Sequence, residues 1–181
     1  SRRAALIESI RKENPNVLLL DAGDVFQGTP YFNYYGGELE LKLMSMMHYD
    51  LATLGNHDFD NGIEGFYAQL PNANFDFVSA NYDFKNTVLD THIKPYKLFK
   101  KDGIKIGVFG LGIELQGLVD KKNYKETVYR DPIEIAQDMS RILKKEEQCA
   151  LVICLSHLGY DYKKRDETKI SDLKLAQKTQ D

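Results

Sequence analysis

Three short apolar runs in this chain end in the same way, and that repeated ending constrains the fold more than any other feature. Val17-Leu18-Leu19-Leu20 leads into Asp21-Ala22-Gly23-Asp24, Leu51-Ala52-Thr53-Leu54 into Gly55-Asn56-His57-Asp58, and Leu151-Val152-Ile153-Cys154-Leu155 into Ser156-His157-Leu158-Gly159. Runs of four or five apolar residues bounded by glycine-bearing turns are too short for helices and read as buried strands. In open α/β sheets the ligand site lies beyond the carboxyl ends of the strands, so clusters far apart in sequence can meet there. The three polar endings are expected to converge.

The intervening segments supply the helices. Residues 4–13, 38–48, 63–70 and 173–178 space their apolar side chains with helical period, and Asp131-Pro132 opens a further helix with Asp131 as N-cap and Pro132 in its first turn. Residues 75–80 read as another strand. Residues 96–99 and 104–109 flank Lys101-Asp102-Gly103, whose Asp-Gly pair is a hairpin signal. An antiparallel pair thus interrupts the βα alternation, which favours two sheets with helices outside over a simple doubly wound sheet. A chain of 181 residues, 43% hydrophobic and 28% charged, suits one such domain.

Composition also excludes functions. The formal net charge is −3, so the basic excess that binds nucleic acid is missing. No stretch reaches the ~18 consecutive apolar residues of a membrane span. Cys149 and Cys154 flank an apolar run, where they are expected on opposite faces of a strand as small core residues rather than as a bridge. The chain opens on Ser1-Arg2-Arg3 in what reads as a helix start, so either the protein begins abruptly or a preceding segment, with or without a secretion signal, lies outside this sequence.

The strand-end residues narrow the chemistry. Carboxylate, carboxamide and imidazole are oxygen and nitrogen donors for hard or borderline divalent ions such as Mn²⁺, Zn²⁺ or Fe²⁺, and no thiolate is placed beside them. A carboxylate such as Asp24 can bridge two ions ~3.5–4 Å apart. His57 is followed three residues later by Asp60, and a nearby carboxylate would orient and charge an imidazole for general-acid work. Taken singly the residues have plainer readings: Asp24 as a turn residue, Asn56 as a turn amide, His157 as a hydrogen-bonded strand-end histidine, Asp60 as a surface carboxylate, and Asn61 with Glu64 as a helix capping box. His48 and His92 lie outside any cluster. Tyr31, Tyr34 and Tyr35 could stack on a base or pack against neighbours.

In order and spacing, Gly23-Asp24-Val25-Phe26-Gln27-Gly28-Thr29-Pro30, Gly55-Asn56-His57-Asp58-Phe59-Asp60 and Ser156-His157-Leu158-Gly159 resemble successive blocks of the calcineurin-like metallophosphoesterases. The Phe-Gln-Gly-Thr-Pro extension and the Gly-Asn-His-Asp-Phe-Asp form resemble the 5′-nucleotidase and UDP-sugar hydrolase branch. The resemblance implies an α/β fold of two mixed β-sheets sandwiched between helices. It implies two divalent metal ions (Zn, Mn, Fe or similar), with Asp24 bridging both and Asn56 and His157 as ligands of the second. Asn56 and His57 would face the substrate, with His57 beside the phosphate and Asp60 as its carboxylate partner. The implied activity is metal-dependent hydrolysis of phosphate monoesters, nucleotides or nucleotide sugars, by an activated water. The alternative is a non-catalytic module of the same fold that serves as a binding surface. The family's opening Asp-x-His block and closing Gly-His-x-His block are not among residues 1–181, so the chain is expected to be a partial metallophosphatase domain, with a C-terminal nucleotide-binding domain in the same or a separate chain. The branch further implies export to a periplasm or the extracellular space, and turnover in nucleotide catabolism.

Overall fold

The structure, a computed structural model, describes residues 2–28, 30–162 and 168–179. Along the chain run α1 (Arg2–Glu13), β1 (Leu20–Asp21), α2 (Pro30–Tyr35), α3 (Glu38–Met46), β2 (Leu51–Thr53), α4 (Gly62–Gln69), β3 (Asp76–Val78) and β4 (Tyr82–Asp83). There follow β5 (Tyr96–Lys101), β6 (Ile104–Leu111), α5 (Lys121–Tyr124), β7 (Val128–Tyr129), α6 (Pro132–Arg141), β8 (Leu151–Ser156) and α7 (Asp172–Lys178).

The strands form a parallel sheet in the order β1-β2-β3, a mixed sheet in the order β5-β6-β8, and a short antiparallel pair of β4 with β7. Period-two alternation divides the strands' side chains among three apolar layers. Leu51 and Val78 from the first sheet meet Ile106, Val108, Ile153 and Leu155 from the second in a layer between the sheets. Their neighbours Ala52 and Phe77 point the other way, onto Leu41, Met44, Ile63 and Phe66 of α3 and α4. On the far side Phe109, Leu111, Val152 and Cys154 face Ala136 and Met139 of α6 and Leu175 of α7. The result is helices, sheet, sheet, helices, the sandwich expected from the sequence.

The sheets approach closely at one point. Thr53 donates its hydroxyl to the Val78 carbonyl at 2.8 Å, and a Cβ placed on Gly110 of β6 would overlap that hydroxyl and that carbonyl. Only glycine fits there.

Several elements differ in detail from expectation. β1 is shorter than the apolar run 17–20 because the N–H of Leu19 bonds the Asp50 carboxylate at 2.7 Å, a side-chain acceptor in place of a strand partner. Asp131 caps α6 as expected, accepting from the N–H groups of Ile133 and Glu134. Asn61 flanks α4 but makes no side-chain capping bond, and Glu64 pairs with Lys125 instead, so the capping box is not formed. Cys149 and Cys154 are both free thiols and pack against the same helix-facing layer, not on opposite faces, because Cys149 precedes β8 and lies outside its alternation. Burial pushes the Cys154 thiol up to about 12.

Candidate functional site

The ends of β1, β2 and β8 come together as the sequence implied. Just past β1, Gly23 and Asp24 turn through left-handed backbone, φ 95° and 59°, and Gln27 and Gly28 do so again at 77° and 87°. Past β2, Asn56 leads into a single 3₁₀ turn, His57–Phe59. Past β8, the His157 N–H bonds the Leu111 carbonyl and brings the ring toward the first loop.

Asp24 lies at the centre. One of its oxygens, Oδ1, accepts the backbone N–H of His57 at 2.8 Å; the other, Oδ2, lies 3.1 Å from Nε2 of His157. The opposite nitrogen of that ring, Nδ1, is 2.7 Å from the Ala22 carbonyl. A carbonyl can only accept, so Nδ1 carries a proton; Nε2 donates to Asp24 while the ring is charged, and a neutral ring held in this tautomer would offer its Nε2 lone pair to the site. Burial opposes the charge on Asp24, but the bonds from His157 and from the His57 N–H outweigh it and hold the carboxyl below its ordinary range. For His157, burial again works against the charged form, and the Asp24 bond overrides it and raises the imidazole.

The glycines fix how close these groups come. A Cβ on Gly55 would strike Asp24 and stand 2.7 Å from Cε1 of His157, and one on Gly23 would lie 2.5 Å from the Gly55 nitrogen. Any side chain at either position would force the loops apart.

His57 and Asp60 form a second group on the rim. Nδ1 of His57 is 2.8 Å from Oδ2 of Asp60, and this bond, more than any other influence, raises the His57 imidazole. The histidine side chain is about half exposed. Asn56 sits between Gly55 and His57, and its carboxamide makes no capping bond to the turn it precedes.

One residue that organises the site shows itself in the sequence only as part of a motif. The Asp58 carboxylate is buried, and its two oxygens accept the N–H groups of Asp24 (2.9 Å), Val25 (3.0 Å), Phe26 (3.3 Å) and Gly55 (2.7 Å). Burial pushes Asp58 up to about 6 against the pull of these bonds. Its place in the Gly-Asn-His-Asp block is the only sequence signal, because three of its four partners lie more than 30 residues away. Asp21 carries no signal beyond its strand end; it accepts the Gly23 N–H at 3.0 Å and is raised chiefly by burial.

The donors available are a carboxylate, an imidazole nitrogen and a carboxamide, from Asp24, His157 and Asn56. These suit a borderline divalent ion, and both thiols lie in the helix-facing layer behind the second sheet. Among the described residues, no group of three or more His, Cys, Asp and Glu side chains is gathered as a ready ligand set, and Asn56 is of none of those types. His48 and His92 lie apart, with His92 edge-on to Tyr67. Tyr31, Tyr34 and Tyr35 are exposed on α2, and Thr29 of the first motif lies outside the described residues.

The family model for calcineurin-like phosphoesterases matches residues 1–178. The chain is 34% identical to the trifunctional nucleotide phosphoesterase protein YfkN of Bacillus subtilis, over 98% of this chain and 14% of that protein. It is 37% identical to a 5′-nucleotidase of Vibrio cholerae, over 87% of this chain and 29% of the relative. Among solved structures, a 5′-nucleotidase precursor from Thermus thermophilus superposes with a TM-score of 0.81 at 35% identity, covering 87% of this chain and 31% of that one. The NAD nucleotidase of Haemophilus influenzae gives 0.79 at 35% identity, covering 86% and 31%. The chain therefore spans less than a third of the length of each of these relatives.

Proposed function

The chain belongs to the calcineurin-like phosphoesterase family, and from that premise we propose that the protein hydrolyses phosphate monoesters of nucleotides or nucleotide sugars at the joined ends of β1, β2 and β8. The observation that carries this reading is the placement of Asp24, with one oxygen toward Nε2 of His157 and the other on the His57 N–H. Nucleotide substrates are favoured by the relatives, which are nucleotidases and a nucleotide phosphoesterase by name.

Asp24, Asn56 and His157 would hold the metal. Bound divalent ions supply Lewis-acid polarisation of phosphoryl oxygens and a more acidic water. The Ala22 carbonyl keeps His157 in the tautomer that offers Nε2. Asp58 keeps the Asp24 loop and the Gly55 turn at fixed separation. His57 is assigned a substrate-facing role: the bond from its Nδ1–H to Asp60 favours the imidazolium, whose Nε2–H can hydrogen-bond a phosphoryl oxygen or give its proton to the departing alkoxide.

The test is His57→Asn in the metal-loaded, full-length protein, with metal content measured beside turnover of an alkyl and an aryl phosphate. We expect the metal content to be unchanged and the rate on the alkyl ester reduced ~10²- to 10⁴-fold, roughly 3–5 kcal/mol of barrier. The aryl ester, whose leaving group needs little protonation, should lose less. Loss of an ion would make His57 a ligand instead. Wild-type protein that binds no metal and turns over neither ester would leave a non-catalytic binding module as the reading.

A further inference from the structure

The loop between Asp24 and Pro30 contains a residue whose conformation is unexplained by its neighbours. Gln27 has φ 77°, a left-handed backbone that L side chains rarely adopt and that glycine or asparagine would occupy more readily. Its side chain is on the protein surface, so apolar packing does not hold it there. What does account for the conformation is the pair of bonds the amide makes. Oε1 of Gln27 accepts the N–H of Gly28 at 3.1 Å, and Nε2 donates to Oδ2 of Asp60 at 2.9 Å. That oxygen is also the one 2.8 Å from Nδ1 of His57.

The direction of these bonds is fixed by the chemistry of the partners. A backbone N–H can only donate and an ionised carboxylate can only accept, so the amide has one orientation that satisfies both ends. Asp60 thus receives two donors on one oxygen, from a residue 33 positions away and from a residue three positions away. Its backbone is held from a third side, where Nδ2 of Asn123 donates to the Asp60 carbonyl at 3.3 Å. Two donors converging on Oδ2 leave the carboxylate little freedom to rotate, and the imidazole that leans on it inherits that restriction.

We propose that Gln27 is a positioning residue for His57, acting through Asp60; this rests on the substrate-facing role given to His57 above. The bonds of its amide go to Asp60 and Gly28, not to Asp24, Asn56 or His157. Residues of this kind, which hold a carboxylate that holds an imidazole, set the precision of the ring rather than its charge. Without the Gln27 amide, Asp60 turns toward water and the His57 ring samples orientations that do not face the leaving group.

The experiment is Gln27→Met, which keeps the side chain's length and removes both polar ends, made alone and together with His57→Asn in the metal-loaded, full-length protein. Metal content is expected to match the parent and the melting temperature to fall only slightly, because Gln27 is exposed. The value of kcat on an alkyl phosphate should fall about 10-fold with little change in KM, and less on an aryl phosphate, in line with the loss of an outer partner. The imidazole ¹⁵N resonances of His57 should move in Gln27→Met, a readout independent of turnover. In the His57→Asn background the second substitution should cost nothing further, because the group it positions is already gone. Equal losses from Gln27→Met in both backgrounds, or an unmoved His57 resonance with full activity, would overturn the proposal while leaving the role of His57 intact. If His57→Asn alone were fully active, the functional reading would fall and the role of Gln27 with it.

Discussion

The two sheets hold their functional ends by different means. The β5-β6-β8 sheet is regular: β5 and β6 pair over six residues, β6 and β8 over six more, and the sheet delivers His157 with one backbone bond to Leu111 and one ring bond to Ala22. The β1-β2-β3 sheet has strands of two and three residues, and its ends carry Asp24, Asn56 and His57 on loops, the first of which has four left-handed positions in six residues. Its order comes from a buried carboxylate rather than a ladder. A long ladder can place one residue at its tip; bringing several donors to one point requires backbone that leaves the ladder, and the polar groups so released need acceptors of their own. Asp58 provides them.

That contrast can be broken most directly at Asp58. Asp58→Leu leaves the N–H groups of Asp24, Val25, Phe26 and Gly55 without their acceptor in a buried place. We expect a loss of about 3–5 kcal/mol, measured as a lower denaturant midpoint at unchanged slope. A loss below about 1 kcal/mol would mean that the loops hold themselves and that Asp58 is incidental.

A smaller effect is expected where the sheets meet. Gly110→Ala drives a methyl group into the Thr53 hydroxyl and the Val78 carbonyl, with Cβ of Thr53 only 2.8 Å away. Overpacking of this kind costs about 1–3 kcal/mol. If the regular sheet is the rigid body and the first sheet the adaptable one, chemical shift changes will spread along β2 and β3 rather than β8. Changes confined to β8 would reverse that assignment.

The smallest effect belongs to the regular side. The Ser156 hydroxyl donates to Oδ1 of Asp172 at 2.5 Å and accepts the Leu158 N–H at 3.3 Å, so it tethers the β8 ending to α7 without being asked to hold a loop in place. Ser156→Ala should cost about 1 kcal/mol, several times less than Asp58→Leu, in the same denaturation experiment. Comparable losses from the two would remove the distinction between the sheets.

What the sequence makes legible follows the same division. The sandwich and the meeting of the three strand ends are readable because period-two alternation and apolar runs are local signals, and Asp131 declares its helix for the same reason. Asp58 is not readable as an organiser, since nothing within a few residues distinguishes a carboxylate that accepts four N–H groups from one on a surface. Nor is the two-residue pairing of β4 with β7, too short to show any period, or α2, where Pro30 and three tyrosines give no helical spacing of apolar residues. Asn61 looks like a cap from its spacing to Glu64, yet Glu64 is committed to Lys125, 61 positions away. Gln27 belongs with these, because its bond to Asp60 crosses between two motifs that the sequence presents as separate.

The alternation of side chains along β6 has an evolutionary consequence. Ile106 and Val108 face one apolar layer and Phe109 and Leu111 another, so adding or deleting one residue would exchange the contents of both at once. Substitutions can accumulate one at a time in such a strand, but a change of length cannot. Insertions and deletions among the descendants of a common ancestor should therefore collect between residues 112 and 127, where the chain has left one sheet and not yet joined the next, while the strands diverge in composition and keep their count.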